Sequence, residues 1–329
     1  MMGGADRCKT VVAKRAPIDD AAVERQTPDT CPGDSLMKAR SFPLLFAVLL
    51  TANAVDAQTN ENQAPAAGAG AQAQAPAEPR KVIPLYPGVA PGSEKWDWEE
   101  RSTVTSSGLP MVTDVVRPVL LHYPADAGKA IGSAMIVAPG GGFRVLMMSY
   151  EGVDIARRLN AMGVDAFVLK YRLNHNPGSG FPDAREAIKL AADDGRQAVR
   201  LVRERSGEFG YSPDRVGMIG FSAGGIVTGE ALFGPAETRP AFAAIIYGPL
   251  EIKEVPSPAP PLFLAVAADD TNAVGKTIDM FLAYRKGKGL AELHVFQTGA
   301  HGFVNKGGGA DHFMDRLEEW LAANKLLSK

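Results

Sequence analysis

The stretch Gly220-Phe221-Ser222-Ala223-Gly224-Gly225 sets a serine between glycines two residues before and two after it, directly behind the apolar run 215–220. A serine hydroxyl is a poor nucleophile until a neighbouring base takes its proton, and that base needs an acceptor to fix its tautomer. The spacing fits a nucleophile elbow, in which the chain reverses from strand into helix so sharply that only very small residues fit at 220 and 224. Such a turn lifts the Ser222 hydroxyl above the strand ends, near the positive end of the helix that begins at Ala223. The pattern alone arises by chance in a chain with 35 glycines, so its weight depends on what surrounds it.

Behind Ser222 come an acid and then a base. Asp269-Asp270 follow the apolar run 262–267, and His301 sits among glycines in 298–303, just after the run 291–296. Adjacent aspartates send their side chains apart, so one of the two faces His301. Ahead of the serine, Gly140-Gly141-Gly142 follow the run 134–138. The backbone N–H groups of Gly140 and Gly141, with that of Ala223, can form an oxyanion hole. Of the other histidines, His122 and His294 fall within strand-like runs, His312 in a helical first turn on the solvent side, and His175 in a loop that can line a cleft. The carboxylate pairs Asp193-Asp194 and Glu318-Glu319 sit on helical stretches and read as solvated faces. No cluster has metal-ligand spacing, and the chemistry needs no cofactor.

These residues require elements to hold them. Short apolar runs bounded by Gly, Pro or Asp predict strands at 82–85, 115–122, 134–138, 164–169, 215–220, 242–247, 262–267 and 291–296. Longer amphipathic stretches predict helices at 151–162, 184–204, 275–287 and 311–326. Continuous apolar strands alternating with helices indicate an α/β class with a mostly parallel central sheet covered on both faces.

Composition narrows the function further. Of 329 residues, 46% are hydrophobic and 22% charged, with 35 Lys and Arg against 37 Asp and Glu, a net charge of −2. That balance excludes a polybasic nucleic-acid binder. Both cysteines, Cys8 and Cys31, lie in the first tenth of the chain, so the rest uses neither a disulfide nor a cysteine nucleophile.

The amino-terminal region reads as leader sequence. Residues 1–36 have no sustained apolar period and read as a disordered upstream extension. Residues 37–57 join a basic start (Met37-Lys38-Ala39-Arg40), an apolar run at 42–50 and small residues up to Ala57. This is signal-peptide grammar, with cleavage near Ala57, and the run is shorter than the about 20 residues of a membrane span. Residues 58–80, rich in Ala, Gln and Pro, read as a flexible leader. The folded domain is expected at 81–329, in a periplasmic or secreted protein.

From Ile83 onward the chain resembles secreted α/β-hydrolase serine esterases of the acetyl xylan esterase type, some of whose relatives carry xylanase labels. The resemblance lies in Pro84–Gly92 (PLYPGVAPG), 138–143 (APGGGF), 150–173 (YEGVDIARRLNAMGVDAFVLKYRL), 193–204 (DDGRQAVRLVRE), 211–225 (YSPDRVGMIGFSAGG), 267–270 (AADD) and 299–303 (GAHGF). It implies an α/β-hydrolase fold and carboxylic ester hydrolysis by Ser222, His301 and the second aspartate, Asp270. Two positions depart from the pattern. Pro139 stands where a histidine often precedes the glycines, and Thr271-Asn272-Ala273 is less apolar than the usual continuation.

The resulting expectation is a serine carboxylic ester hydrolase working through an acyl-enzyme on short-chain esters such as acetylated hemicellulose. Its partner is a small-molecule or polysaccharide-borne ester, with no nucleic acid and no stable membrane span. The alternatives are a serine peptidase of the prolyl-oligopeptidase type and a non-catalytic binding protein on a hydrolase scaffold. The short connection 247–261 leaves no room for a large lid, which favours an open cleft and small acyl groups.

Overall fold

A computed structural model describes residues 78–328 except 107, 174 and 176–183. The expected extension at 1–36, the signal peptide at 37–57 and nearly all of the leader at 58–80 lie outside the described residues.

The chain begins with β1 (Lys81–Pro84), β2 (Arg101–Val104), β3 (Pro110–Thr113), β4 (Val119–Tyr123), β5 (Ala134–Ala138) and β6 (Val145–Leu146). A π-helical turn, Ser149–Val153, leads into α1 (Asp154–Ala161), followed by β7 (Asp165–Lys170), α2 (Ala184–Glu204) and α3 (Ser206–Phe209). Then come β8 (Val216–Phe221), α4 (Ala223–Leu232), β9 (Ala243–Ile246), β10 (Leu262–Ala267), α5 (Val274–Lys286), β11 (Ala291–Phe296) and α6 (Phe313–Ala323).

Eight strands form one sheet in the order β1-β4-β7-β5-β8-β9-β10-β11. The β1–β4 and β4–β7 pairings are antiparallel and the rest parallel. Strands β5, β8, β9 and β10 are buried along their whole length, which is why they read as unbroken apolar runs rather than alternating ones. Alternate residues of β10 serve opposite faces. Phe263 packs against Trp320 of α6, with ring centroids 5.8 Å apart, while Leu262 and Leu264 cluster with Met280 and Tyr284 of α5. Helices therefore cover both sides, and every parallel strand discharges its C-terminal end at one edge.

Two expectations need correction, and one sheet was not foreseen. The strand read at 115–122 begins only at Val119, because Pro118 has no N–H to contribute to a ladder. A second, three-stranded sheet, β2-β3-β6, stands apart; β2 is exposed throughout and leaves no apolar signature. Asp194 is not on a solvated face. It is fully buried against Arg172, whose Nε and Nη2 reach its oxygens at 3.0 and 2.8 Å while the Arg172 backbone N–H donates at 2.9 Å. Arg172 also reaches the Pro91 carbonyl through Nη1 at 2.6 Å. The pair pins α2 to the end of β7, and removing one partner leaves a buried charge, at a cost of about 3–5 kcal/mol.

Candidate active site

Ser222 lies at the junction of β8 and α4 with φ 49° and ψ −115°, a conformation that L-residues rarely adopt. Its flanking glycines are sterically required. A Cβ on Gly220 would lie 2.1 Å from the Gly224 carbonyl oxygen, and one on Gly224 would lie 2.0 Å from that of Ala138. Although Ser222 occupies the cap position of α4, its side chain makes no capping bond. Its Oγ instead lies 2.7 Å from His301 Nε2.

His301 comes from the loop after β11, where Gly299, Ala300 and Gly302 all have positive φ. Its Nδ1 lies 2.7 Å from Asp270 Oδ2, and the Asp270 side chain is fully buried. Asp270 is fixed in turn by the backbone N–H groups of Asn272 and Ala273, which donate to Oδ1 at 3.1 and 3.2 Å. Asp269 points elsewhere, accepting the N–H groups of Ala300 at 2.8 Å and Gly299 at 3.3 Å. Those two bonds, Ala300 foremost, hold its carboxyl below the usual carboxylate range. Of the adjacent aspartates, then, one orients the imidazole and the other braces the loop that carries it.

The glycine loop differs from the sequence reading. The Gly140 N–H does not face the nucleophile as an oxyanion donor; it donates to Glu151 Oε2 at 2.8 Å. The reason is that Glu151, in the π-helical turn, is buried directly against it. Gly141, with φ 132°, is a position only glycine can hold, since a Cβ there would lie 2.1 Å from the Val145 carbonyl oxygen. Ala223 opens α4, where the first N–H groups lack intrahelical acceptors. Pro139 is tied by its carbonyl, which accepts the Tyr171 hydroxyl at 2.8 Å.

Sequence reasoning missed Glu151, Tyr171 and Tyr247. Tyr247 has φ 40° and is fully buried; its hydroxyl donates to Glu151 Oε1 at 2.8 Å and its ring lies 5.2 Å from the His301 ring. An acidic residue opening an otherwise apolar helix face was the available signal for Glu151.

The remaining histidines do not join Ser222. His122 is buried beside Asp165, His294 pairs with Glu292 within β11, and exposed His312 meets Asp315. His175 contacts Asp114 at 2.9 Å. Asp114 helps line a cavity of about 290 Å³ bordered by Gly141, Gly142 and Arg144, so His175 borders that cavity's wall through Asp114. Among the described residues no three His, Cys, Asp or Glu side chains gather to hold a metal ion, and no helix is long and apolar enough to cross a membrane.

Comparisons with known proteins agree with this architecture. Over 124 residues the chain is 32% identical to an acetylxylan esterase of Xylanibacter ruminicola, a match covering 37% of this chain and 24%, about a quarter, of that relative. Among solved structures, an acetyl ester-xyloside bifunctional hydrolase from Caldicellulosiruptor lactoaceticus superposes with a TM-score of 0.56 at 22% identity, covering 76% of this chain and 98% of the other. A thermophilic esterase from Thermogutta terrifontis gives 0.53 at 19% identity, covering 70% and 96%. The chain has the α/β-hydrolase fold, and its residues 182–328 match the Dienelactone hydrolase family.

Proposed function

We propose that the protein is a serine carboxylesterase. The observation that carries this reading is the continuous relay Ser222 Oγ, His301 Nε2, His301 Nδ1, Asp270 Oδ2, with 2.7 Å at each of its two hydrogen bonds. Ser222 Oγ attacks the ester carbonyl while His301 Nε2 takes its proton. Asp270 accepts the Nδ1 hydrogen bond and stabilises the imidazolium that forms. As the tetrahedral adduct collapses, His301 returns the proton to the departing alkoxide, leaving Ser222 acylated. Water activated by the same imidazole then releases the acid and restores the hydroxyl. The Gly141 and Ala223 N–H groups serve as oxyanion donors, and no cofactor or metal takes part.

The substrates are short acyl esters, above all acetyl groups on hemicellulose. This rests on the acetylxylan esterase similarity and on the 247–261 connection, which has no helix to act as a lid. The signal-like composition of 37–57 supports a location outside the cytoplasm. A panel of acetyl, butyryl, octanoyl and feruloyl esters, acetylated xylan and a proline-containing peptide amide tests the reading. Acetyl turnover should exceed octanoyl turnover, and acetate should be released from xylan. Faster cleavage of the amide than of every ester would make the protein a peptidase.

A further inference from the structure

One buried carboxyl takes no part in the relay. Glu151 is 3% exposed, and burial pushes its carboxyl above the usual range against the opposing pull of Tyr247 and Gly140. A side chain of its size filled with carbon would pack there without that desolvation cost. Its two oxygens are divided between two elements of the candidate site: Oε2 takes the Gly140 N–H and Oε1 takes the Tyr247 hydroxyl.

Both connections lead to the reacting groups. A Cβ on Gly140 would lie 2.7 Å from Glu151 Oε2 and 3.0 Å from Ser222 Cβ, so the loop runs in contact with the nucleophile on one side and the carboxyl on the other. Tyr247 carries the second connection. Its backbone N–H is anchored on the Ala265 carbonyl at 2.8 Å, and its ring rests between Phe221, at 6.0 Å, and His301, at 5.2 Å. The turn that presents Glu151 is π-helical, with the Val153 N–H reaching the Met148 carbonyl at 2.9 Å. Single π-turns are uncommon and concentrate at functional sites.

We propose that Glu151 is a positioning residue: by clamping the Gly140 peptide and the Tyr247 hydroxyl together, it sets the distance between the oxyanion loop and the Ser222–His301 pair. The role depends on hydrogen-bond geometry rather than on charge. A glutamine keeps an oxygen for the Gly140 N–H and an amide for the Tyr247 hydroxyl, which can accept as well as donate. A leucine keeps the volume and loses both bonds.

The inference rests on the esterase reading, and two measurements separate their failures. The first is kcat and KM on p-nitrophenyl acetate, normalised to sites titrated with a phosphonylating probe. The second is the rate constant of phosphonylation of Ser222, which uses the same oxyanion donors whatever the natural substrate. Glu151→Leu should lower kcat per titrated site on the order of 10²-fold with KM within about threefold, and slow phosphonylation in parallel. Glu151→Gln should recover both to within about fivefold of wild type. Tyr247→Phe, which removes one bond and keeps the ring, should fall between them and covers the case in which the leucine variant does not fold. Full kcat per site in Glu151→Leu, or in Tyr247→Phe where that variant alone folds, would show that the carboxyl only supports the fold. A glutamine variant as slow as the leucine variant would show that charge, not geometry, is at work. Absence of ester turnover in the wild type would defeat the esterase reading while leaving the phosphonylation comparison to decide on Glu151.

Discussion

Two histidine–aspartate pairs stand in different parts of the same eight-stranded sheet, one beyond the C-terminal ends of β10 and β11 and the other where β4 meets the start of β7. His301 and Asp270 follow the C-terminal ends of β11 and β10, 2.7 Å apart; Asp165 begins β7 and meets His122 of β4 at 2.9 Å. By distance they are nearly equivalent. The His301 side chain, however, is 36% exposed and offers its second nitrogen to Ser222, whereas His122 is 3% exposed and stacked on Phe167 with centroids 4.6 Å apart. The second nitrogen of His122, Nδ1, is buried without a hydrogen-bond partner. A carboxylate beside an imidazole is thus common to the proposed catalytic site and to a buried pair away from it. What separates them is a serine hydroxyl on the far nitrogen and a ring open to solvent.

The sharpest way to break this contrast is to remove the nucleophile. Ser222→Ala should lower kcat by about 10⁴-fold or more, and a phosphonylating probe should label wild type but not the variant. Residual activity within tenfold of wild type would mean that another nucleophile acts. Next come the two acids. Asp270→Asn should lower kcat by roughly 10²- to 10⁴-fold through the wrong histidine tautomer, whereas Asp165→Asn should leave kcat per titrated site within about threefold. Equal losses would erase the distinction between the two pairs.

His122→Ala probes the structural pair from its other side. It removes a ring packed against Phe167 and Phe209 and strands the Asp165 carboxylate, so urea denaturation should show a loss of about 2–4 kcal/mol with unchanged kcat per site. The smallest effect belongs to Asp269→Asn, for which we expect a two- to fivefold fall in kcat, of the order of a weakened loop bond. Because the folded-state pKa of Asp269 is depressed, its support is present above the ordinary carboxylate pKa of about 3.9 and fades as pH falls through the lower folded value. Urea midpoints of wild type and Asp269→Asn should therefore differ at pH 6 and converge in strong acid.

What the sequence disclosed follows the same division. The meeting of Ser222, Asp270 and His301 was legible because each residue directly follows an apolar run, and parallel strands must deliver their C-terminal ends to one edge. Spacing alone left Asp269 and Asp270 both open and only the family resemblance pointed to Asp270, since the geometry depends on which carboxylate the turn at Asn272 and Ala273 captures. Gly140 was misread because a glycine after a strand advertises a close approach but not its direction, and the acceptor that turns its N–H away lies eleven residues on, at Glu151. Asp194 was misread because helical spacing cannot reveal that Arg172, from the end of a strand, is buried against it. The small sheet of β2, β3 and β6 was not read from the sequence, its strands being only two to four residues long and β2 exposed along its whole length.

The backbone of Ser222 ties the chemistry to the resilience of the fold. A serine at the start of a helix ordinarily caps it, contributing about 1 kcal/mol, and an unstrained φ would spare the protein a further cost of about 1–3 kcal/mol. This residue forgoes both, with its Oγ turned to His301 and its φ at 49°. The strand and helix on either side must hold it there against its own preference. Selection for heat resistance alone would favour glycine at 222, which tolerates that backbone without strain, and would discard the hydroxyl in doing so. Durability and turnover therefore compete at a single residue, and any effort to stabilise this protein has to find its gains elsewhere in the sheet.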